Sequence, residues 1–174
     1  MQIERIEEAR LTPELEAELG ALLDLCFSGT FEGRSFFMQR HHVRLIAREE
    51  AIIGHMALSL RAIRLGEDLA TIAGLAEVAT HPDRRGEGIA GRLMEAMLEE
   101  ARAMPADFLL LFGDRPIYAG HGFVPAPNPL RWVEMAGART GWVAEGSERG
   151  LMVLPLGARA WDDDAPVDLL GHLF

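Results

Sequence analysis

The sequence predicts one mixed α/β domain over residues 1–174: a mostly antiparallel sheet, with one parallel pairing, flanked by helices. Three observations lead there. Hairpin-linked strands come first, between residues 43 and 80. A single strand–helix–strand crossover follows, over 69–80, 88–103 and 107–112. The composition is globular: 174 residues, 49% hydrophobic and 25% charged. That is enough chain for one domain with a sizeable core.

Taken in order, residues 2–8 alternate like an edge strand. Thr12 followed by Pro13 reads as an N-cap with proline at the first helical position. Leu15, Leu19, Leu22, Leu23 and Phe27 then recur as a helical stripe. The segment 27–38 contains glycines yet carries Phe27, Phe31, Phe36 and Phe37. A loop so rich in aromatics is expected to fold over the core or over a ligand. Strands over 43–48 and 51–65 flank a tight turn at Glu49-Glu50, and Gly66-Glu67-Asp68 turns into a third strand over 69–80. Gly74 and the small residues around it suit a bulge or a close backbone approach. Residues 88–103 form the clearest helix. Ile89, Ala90, Leu93, Met94, Met97, Leu98 and Ala101 line one face, and Arg92, Glu95, Glu99, Glu100 and Arg102 the other. Pro105 ends it, and the continuous apolar run DFLLLF at 107–112 reads as a buried strand.

Composition narrows the chemistry. Cys26 is the single cysteine, which excludes an internal disulfide and a cysteine-cluster zinc site. All 17 basic residues are arginine, so lysine Schiff bases, a pyridoxal attachment and a Walker A lysine are excluded. The formal net charge of −10 opposes nucleic-acid binding. It suits a cationic small-molecule partner, or simply a solubility surface. No apolar run approaches the roughly 20 residues of a membrane span. The acidic, polar stretch MQIERIEEAR does not read as a secretory signal. The expectation is a soluble, cytoplasmic protein with no membrane partner. His41 and His42 are adjacent on a predicted strand and so point to opposite faces. No acidic cluster has ligand spacing, and no metal is expected. His81, before Pro82, reads as turn structure.

The most informative segment is Val78-Ala-Thr-His-Pro-Asp-Arg-Arg-Gly-Glu-Gly-Ile-Ala-Gly91. A strand ends, a Pro-Asp turn follows, and a glycine-rich loop opens a helix whose first amides have no intrahelical acceptors. Glycines at 86, 88 and 91 let a ligand approach backbone, and Arg84, Arg85 and Arg92 add positive charge. The pattern is an anion cradle for phosphate or pyrophosphate. It also admits a plain glycine-rich surface turn. Gly86-x-Gly88-x-x-Gly91 fits the dinucleotide fingerprint literally, but antiparallel strands precede it, and Asp107 begins its strand rather than ending it.

Arg85-Gly-Glu-Gly88-Ile-Ala90 matches the acyl-coenzyme A pattern R-x-x-G-x-G/A. Ile117-Tyr-Ala-Gly-His-Gly-Phe123 matches a short helix with a Y…GF ending, after the DFLLLF strand. On these residues the chain resembles the GNAT acetyltransferase superfamily over roughly residues 1–156, leaving 157–174 as a C-terminal extension. Within it the chain looks most like aminoglycoside 2′-N-acetyltransferases, through Ala51-Ile-Ile-Gly-His-Met-Ala57, Phe27-x-Gly29-x-Phe31, Leu151-Met-Val-Leu-Pro155 and the short tail. A weaker similarity runs to rhizobial nodulation N-acyltransferases. Thr30 and Ser35 stand near where the aminoglycoside enzymes carry aspartates. Ala76 stands where they carry a strand glutamate, with Glu77 one residue later.

The resemblance implies the GNAT fold and an acetyl-CoA-dependent N-acetyltransferase. Acetyl would pass to a primary amine of a small cationic acceptor, aminoglycoside-like or polyamine-like, by direct attack in a ternary complex. It places backbone of Val78, Ala79 and Thr80 along the pantetheine. The pyrophosphate falls on Arg85, Gly86, Glu87, Gly88, Ile89 and Ala90. Tyr118, the only tyrosine, would protonate the leaving sulfur; an unperturbed phenol, with a pKa of about 10, is protonated at neutral pH. His121 is an alternative proton carrier. Glu77 sits in the apolar stretch LAEVAT, a costly place for a carboxylate unless it faces a cleft. Partial burial would raise its pKa and suit it as base, directly or through water; it would equally hold a cationic amine, or face solvent. Glu32 is a second acceptor-site candidate. Asp162-Asp-Asp164 is either an attractor for a polyamine-like substrate or a solvated turn. The alternatives are a longer-chain acyltransferase, suggested by the phenylalanine-rich loop, a non-catalytic acyl-CoA-binding protein, and a nucleotide-dependent oxidoreductase. A homodimer through the C-terminal strands stays open.

Overall fold

The structure, a computed structural model of the chain, describes residues 1–147 and 150–174. It comprises two compact units, Met1–Ser59 with Ala76–Glu100, and Leu60–Leu75 with Ala101–Phe174.

In the first unit, β1 (Gln2–Glu7) pairs antiparallel with β2 (Val43–Arg48). β2 in turn pairs antiparallel with the first half of β3 (Ile52–Leu65), from Val43↔Leu58 to Arg48↔Ile52. Helix α1 (Pro13–Cys26) starts as expected: the Thr12 side chain accepts a hydrogen bond from the Leu15 N–H at 3.3 Å. Such a cap contributes about 1 kcal/mol. Leu19, Leu22 and Leu23 bury the apolar stripe against Phe31, Ile46, Ile52 and Ala79. Phe27 and Phe37 pack on Phe31 with ring centroids 5.4 and 6.2 Å away. The aromatic loop therefore folds over the core; Phe36 instead lies under the Arg40 guanidinium, 4.5 Å from its centroid.

Helix α2 (Ile89–Ala103) buries Ile89, Leu93, Met94, Met97 and Leu98. It sits so close to β3 that only glycine fits at position 54. A Cβ there would meet Ile89 Cγ2 and Leu93 Cδ1 at 2.8 Å. Arg5 on β1 forks onto the Glu100 carboxylate at 2.7 and 2.9 Å.

The second unit holds the order β6-β9-β5-β4-β3-β10-β7-β8. Its strands are the far half of β3, the near half of β4 (Asp68–Thr80), β5 (Phe108–Phe112), β6 (Val124–Pro125), β7 (Leu130–Ala136), β8 (Arg139–Gly146), β9 (Leu151–Pro155) and β10 (Val167–Asp168). The expected parallel pairing is β4 with β5, from Ile72↔Phe108 to Leu75↔Leu111. The expectation of a single parallel pairing needs correction, because β10 runs parallel to β7. β10 has two residues and no periodicity to read. Ile63, Ile72, Phe108, Leu110, Leu130, Trp132, Val153, Val167 and Leu169 form this unit's core.

The stretch 157–174 is built into the same unit. β10 bridges β3 and β7. Phe174 packs edge-on to Phe112 at 5.2 Å, and Arg61 donates to the carbonyls of Leu169 and His172. The Asp162 carboxylate accepts the Asp164 N–H at 3.0 Å, and the Asp162 carbonyl accepts from Asn128. That is the geometry of an Asx turn, so the acidic run is the turn of the two expected readings. Among the described residues, no helix is long and apolar enough to cross a membrane.

Candidate active site

The glycine-rich loop lies in the first unit. Gly86 and Gly88 have φ of 85° and 77°, a region open to glycine and strained for other residues. Nothing lies within 4 Å of where a Cβ would be at either one. The first backbone bond of α2 runs from the Arg92 N–H to the Gly88 carbonyl at 3.2 Å. The amides of Ile89, Ala90 and Gly91 precede it and have no intrahelical partner, so they carry the positive end of the helix dipole. Such a bare row of donors, preceded by two glycines that leave the approach open, fits a diphosphate.

Arg84 differs from expectation. It is turned onto Glu87, at 2.9 Å to both oxygens, and onto Glu49 at 3.0 and 3.3 Å. Two carboxylates consume its charge. Among the described residues, Arg85 and Arg92 have no carboxylate within 4.0 Å to take up their charge. Arg85 lies beside the Cys26 thiol, whose Sγ donates to the Thr80 carbonyl at 3.4 Å. Burial pushes that thiol up. Ala79 packs into the core, and Val78 and Thr80 are half-buried. His81 caps the turn that follows, accepting from the Asp83 N–H at 3.3 Å.

Glu77 stands immediately before this stretch with φ of 54°, a conformation costing a non-glycine residue about 1–2 kcal/mol. Its side chain is only 8% exposed, which sets aside the solvent-facing reading. The carboxylate meets a guanidinium and an imidazole. Arg44 Nη1 donates to Oε2 at 3.4 Å, and His41 Nε2 lies 3.0 Å from Oε1. Arg44 is wholly buried. It also donates to both Glu8 oxygens at 2.6 and 3.1 Å and to the Ser35 carbonyl at 2.7 Å. Glu77 is thus an ion-paired carboxylate, and its burial is offset by that pairing.

His55 holds the Glu77 backbone. Its Nε2 faces Arg44 Nη1 at 3.2 Å, and its Nδ1 faces the Glu77 carbonyl at 2.9 Å. A guanidinium can only donate, so Nε2 accepts, and the ring proton sits on Nδ1 and is donated to the carbonyl. Burial, reinforced by the Arg44 charge, drives the His55 pKa down to about 3. The ring is neutral, as this bonding requires.

Tyr118 lies in the second unit on α3 (Pro116–Gly120), 7% exposed, with its ring 6.1 Å from that of Phe123. Burial raises its phenol above the ordinary value, so the proton is held more firmly than in a free tyrosine. His121 is committed locally, donating from Nδ1 to the Ile117 carbonyl at 2.8 Å. Glu32 is 75% exposed and 3.6 Å from Arg34. No group of three or more metal-ligating side chains exists among the described residues.

Arg44 and His55 are the members of the Glu77 cluster that pattern reading misses. Their signal was the one that singled out Glu77: a polar residue inside an apolar strand, in VRLIAR and in IIGHMALSL. His41 drew attention only as a metal candidate.

Comparison with known proteins identifies the type of domain. A model of the acetyltransferase (GNAT) domain matches residues 9–126. A curated relative, the uncharacterized N-acetyltransferase YjhQ of Escherichia coli K12, is 35% identical over 52% of this chain. The match spans about half, 55%, of that relative's length. Among solved structures, a GNAT family acetyltransferase from Brucella melitensis in complex with acetyl-CoA superposes with a TM-score of 0.61. It is 21% identical, and the match covers 95% of this chain and 94% of that one. The Escherichia coli GNAT protein YhbS in complex with CoA gives 0.64 at 20% identity, covering 97% and 88%. With more than half its length matched by the domain model, and with the glycine-rich loop opening α2 inside the matched region, the chain belongs to the GNAT acetyltransferase family.

Proposed function

We propose that the protein transfers an acetyl group from acetyl-CoA to a primary amine of a small, cationic acceptor, by direct attack in a ternary complex. The observation that carries this reading is the row of unpartnered amides at the start of α2, preceded by Gly86 and Gly88 in left-handed conformations. In this reading the backbone of Arg85, Gly86, Glu87, Gly88, Ile89 and Ala90 holds the diphosphate, and Val78, Ala79 and Thr80 run along the pantetheine. The amine nitrogen attacks the thioester carbonyl carbon. The N–C bond forms, the C–S bond breaks, and the departing sulfur takes a proton from Tyr118. The amine's proton leaves to Glu77 or through water. Holding the two substrates together supplies much of the rate.

The acidic chain, at −10, and the nearly buried carboxylate of Glu77 favour an aminoglycoside-like or polyamine-like acceptor. The phenylalanine-rich loop gives a longer acyl chain little support, because Phe27, Phe31 and Phe37 are spent on the core. The test is release of free CoA thiol from acetyl-CoA with a panel of aminoglycosides, polyamines and simple amines. Thiol release with a cationic member is expected. Tyr118→Phe should lower kcat by about 10²-fold while acetyl-CoA affinity by calorimetry is unchanged. Wild-type protein that binds no acetyl-CoA would overturn the reading.

A further inference from the structure

His41 holds an atom that the fold leaves unexplained. Its side chain is 2% exposed, and Nε2 has no hydrogen-bond partner among the described residues. Nε2 nevertheless lies 3.0 Å from Glu77 Oε1, at ion-pair distance but out of line for a hydrogen bond. A buried polar atom without a partner calls for a reason.

The other side of the ring points to where its proton lies. Nδ1 is 3.0 Å from Ser59 Oγ, and Ser59 Oγ accepts from Gln39 Nε2 at 3.4 Å. With Gln39 occupying one of its lone pairs, Ser59 has its own hydroxyl proton to give to Nδ1. Nδ1 is then an acceptor, and a neutral ring carries its proton on Nε2, facing Glu77. Gln39, Ser59 and His41 then form a chain of donors directed at the Glu77 carboxylate. Arg44 donates to the other oxygen, and His55 to the carbonyl of the same residue. Arg44 and His55 thus donate to Glu77, and His41 faces it. The charge around it is also incomplete, since among the described residues Glu8, Glu16 and Glu77 share only the guanidiniums of Arg40 and Arg44.

We infer that His41 is a positioning residue, whose Nε2–H aims an ionised Glu77 at the ammonium group of the acceptor amine. The inference rests on the acetyl-transfer reading above. The out-of-line contact closes when the amine docks, as site hydrogen bonds commonly do on complex formation.

Two measurements on the full chain test it. Long-range 1H–15N NMR of the histidine side chains should show His41 as the Nε2–H tautomer, and Glu77→Gln should shift that resonance. Kinetics with whichever amine releases CoA should show His41→Asn raising the acceptor KM about tenfold, the effect of losing a hydrogen bond to a charged group. The acetyl-CoA KM should stay constant. His41→Gln, whose amide reaches the place of Nε2, should stay within about twofold of wild type. An Nδ1–H tautomer would overturn the inference, as would equal KM rises for Asn and Gln. Failure of the acetyl-transfer reading looks different: wild-type protein turns over no amine, while the tautomer still decides the direction of the donor chain.

Discussion

Replacing Arg44 by methionine should remove the charge that holds the first unit's polar cluster together. The guanidinium is wholly buried and gives five hydrogen bonds: two to Glu8, one each to Glu77 and the Ser35 carbonyl, and one to His55 Nε2. Methionine fills much of the same volume, so the cost is electrostatic rather than a cavity. Glu8 keeps Arg40 at 3.3 Å and Glu77 keeps His41 at 3.0 Å, but both carboxylates lose their buried counter-charge. Breaking one partner of a buried ion pair costs about 3–5 kcal/mol, a large part of the roughly 5–15 kcal/mol that holds a domain. With a urea m-value of about 2 kcal/mol/M, a loss of about 4 kcal/mol moves the unfolding midpoint down by about 2 M. Arg44→Lys keeps the charge but loses the fork, and should fall between. Adding Glu77→Gln to Arg44→Met should recover more than about 1 kcal/mol, because the two groups are coupled. A midpoint loss for Arg44→Met equivalent to less than about 1 kcal/mol, with an unchanged m-value, would refute the counter-charge argument.

Acid should weaken the fold through His55. Its pKa stands at about 3 against 6.5 for the free side chain, so between those values the unfolded chain binds more protons. Stability from this group is complete above about pH 6.5 and is lost on acidification through that window, by up to about 1.4 kcal/mol per pH unit. Urea midpoints measured across the window should show this slope, and His55→Gln should flatten it. Gly88→Val meets no neighbour, yet forces a β-branched residue to a φ of 77°. It should weaken acetyl-CoA binding at least about tenfold by calorimetry, whereas Gly91→Ala, with open space and no positive φ, should stay within about twofold. Cys26, with its thiol pushed up by burial and bonded to the Thr80 carbonyl, should react with a disulfide reagent at least about tenfold more slowly in the native chain than in urea.

What was legible in the sequence follows from the range of the forces involved. Local signals read true. Thr12-Pro13 starts α1, the apolar face of 88–103 is the buried face of α2, and DFLLLF is β5 in parallel with β4. The glycines of the loop are where a left-handed backbone is required. Long-range pairings did not read. β10 has two residues, and its partners β3 and β7 are far away in the chain. The kink at Glu77 was equally silent, since no glycine marks it. A glutamate is held at φ of 54° by His55, 22 positions away, through a bond to its carbonyl. For the same reason the sequence led to a carboxylate whose basicity burial would raise, without the Arg44 that sits against it. That guanidinium lies 33 positions away on β2.

The cluster around Glu77 makes poor sense as a device for stability alone. Buried ion pairs are often no better than well-packed apolar residues of the same volume. Leu45, Ile46, Met56 and Leu58 show that β2 and β3 supply such residues freely. What the ion pairs add is direction. A methionine or leucine at 44 would leave the kinked residue free to turn, whereas Arg44 fixes the Glu77 carboxylate and, through His55, its carbonyl. The next residues along the chain, Val78, Ala79 and Thr80, are those whose backbone the acetyl-transfer reading lays along the pantetheine. Their orientation is set at the kink. The polar network is therefore best understood as a brace that fixes where one strand turns, and the energy spent on desolvating it goes into placing the backbone and the carboxylate that the acetyl-transfer reading sets against the two substrates.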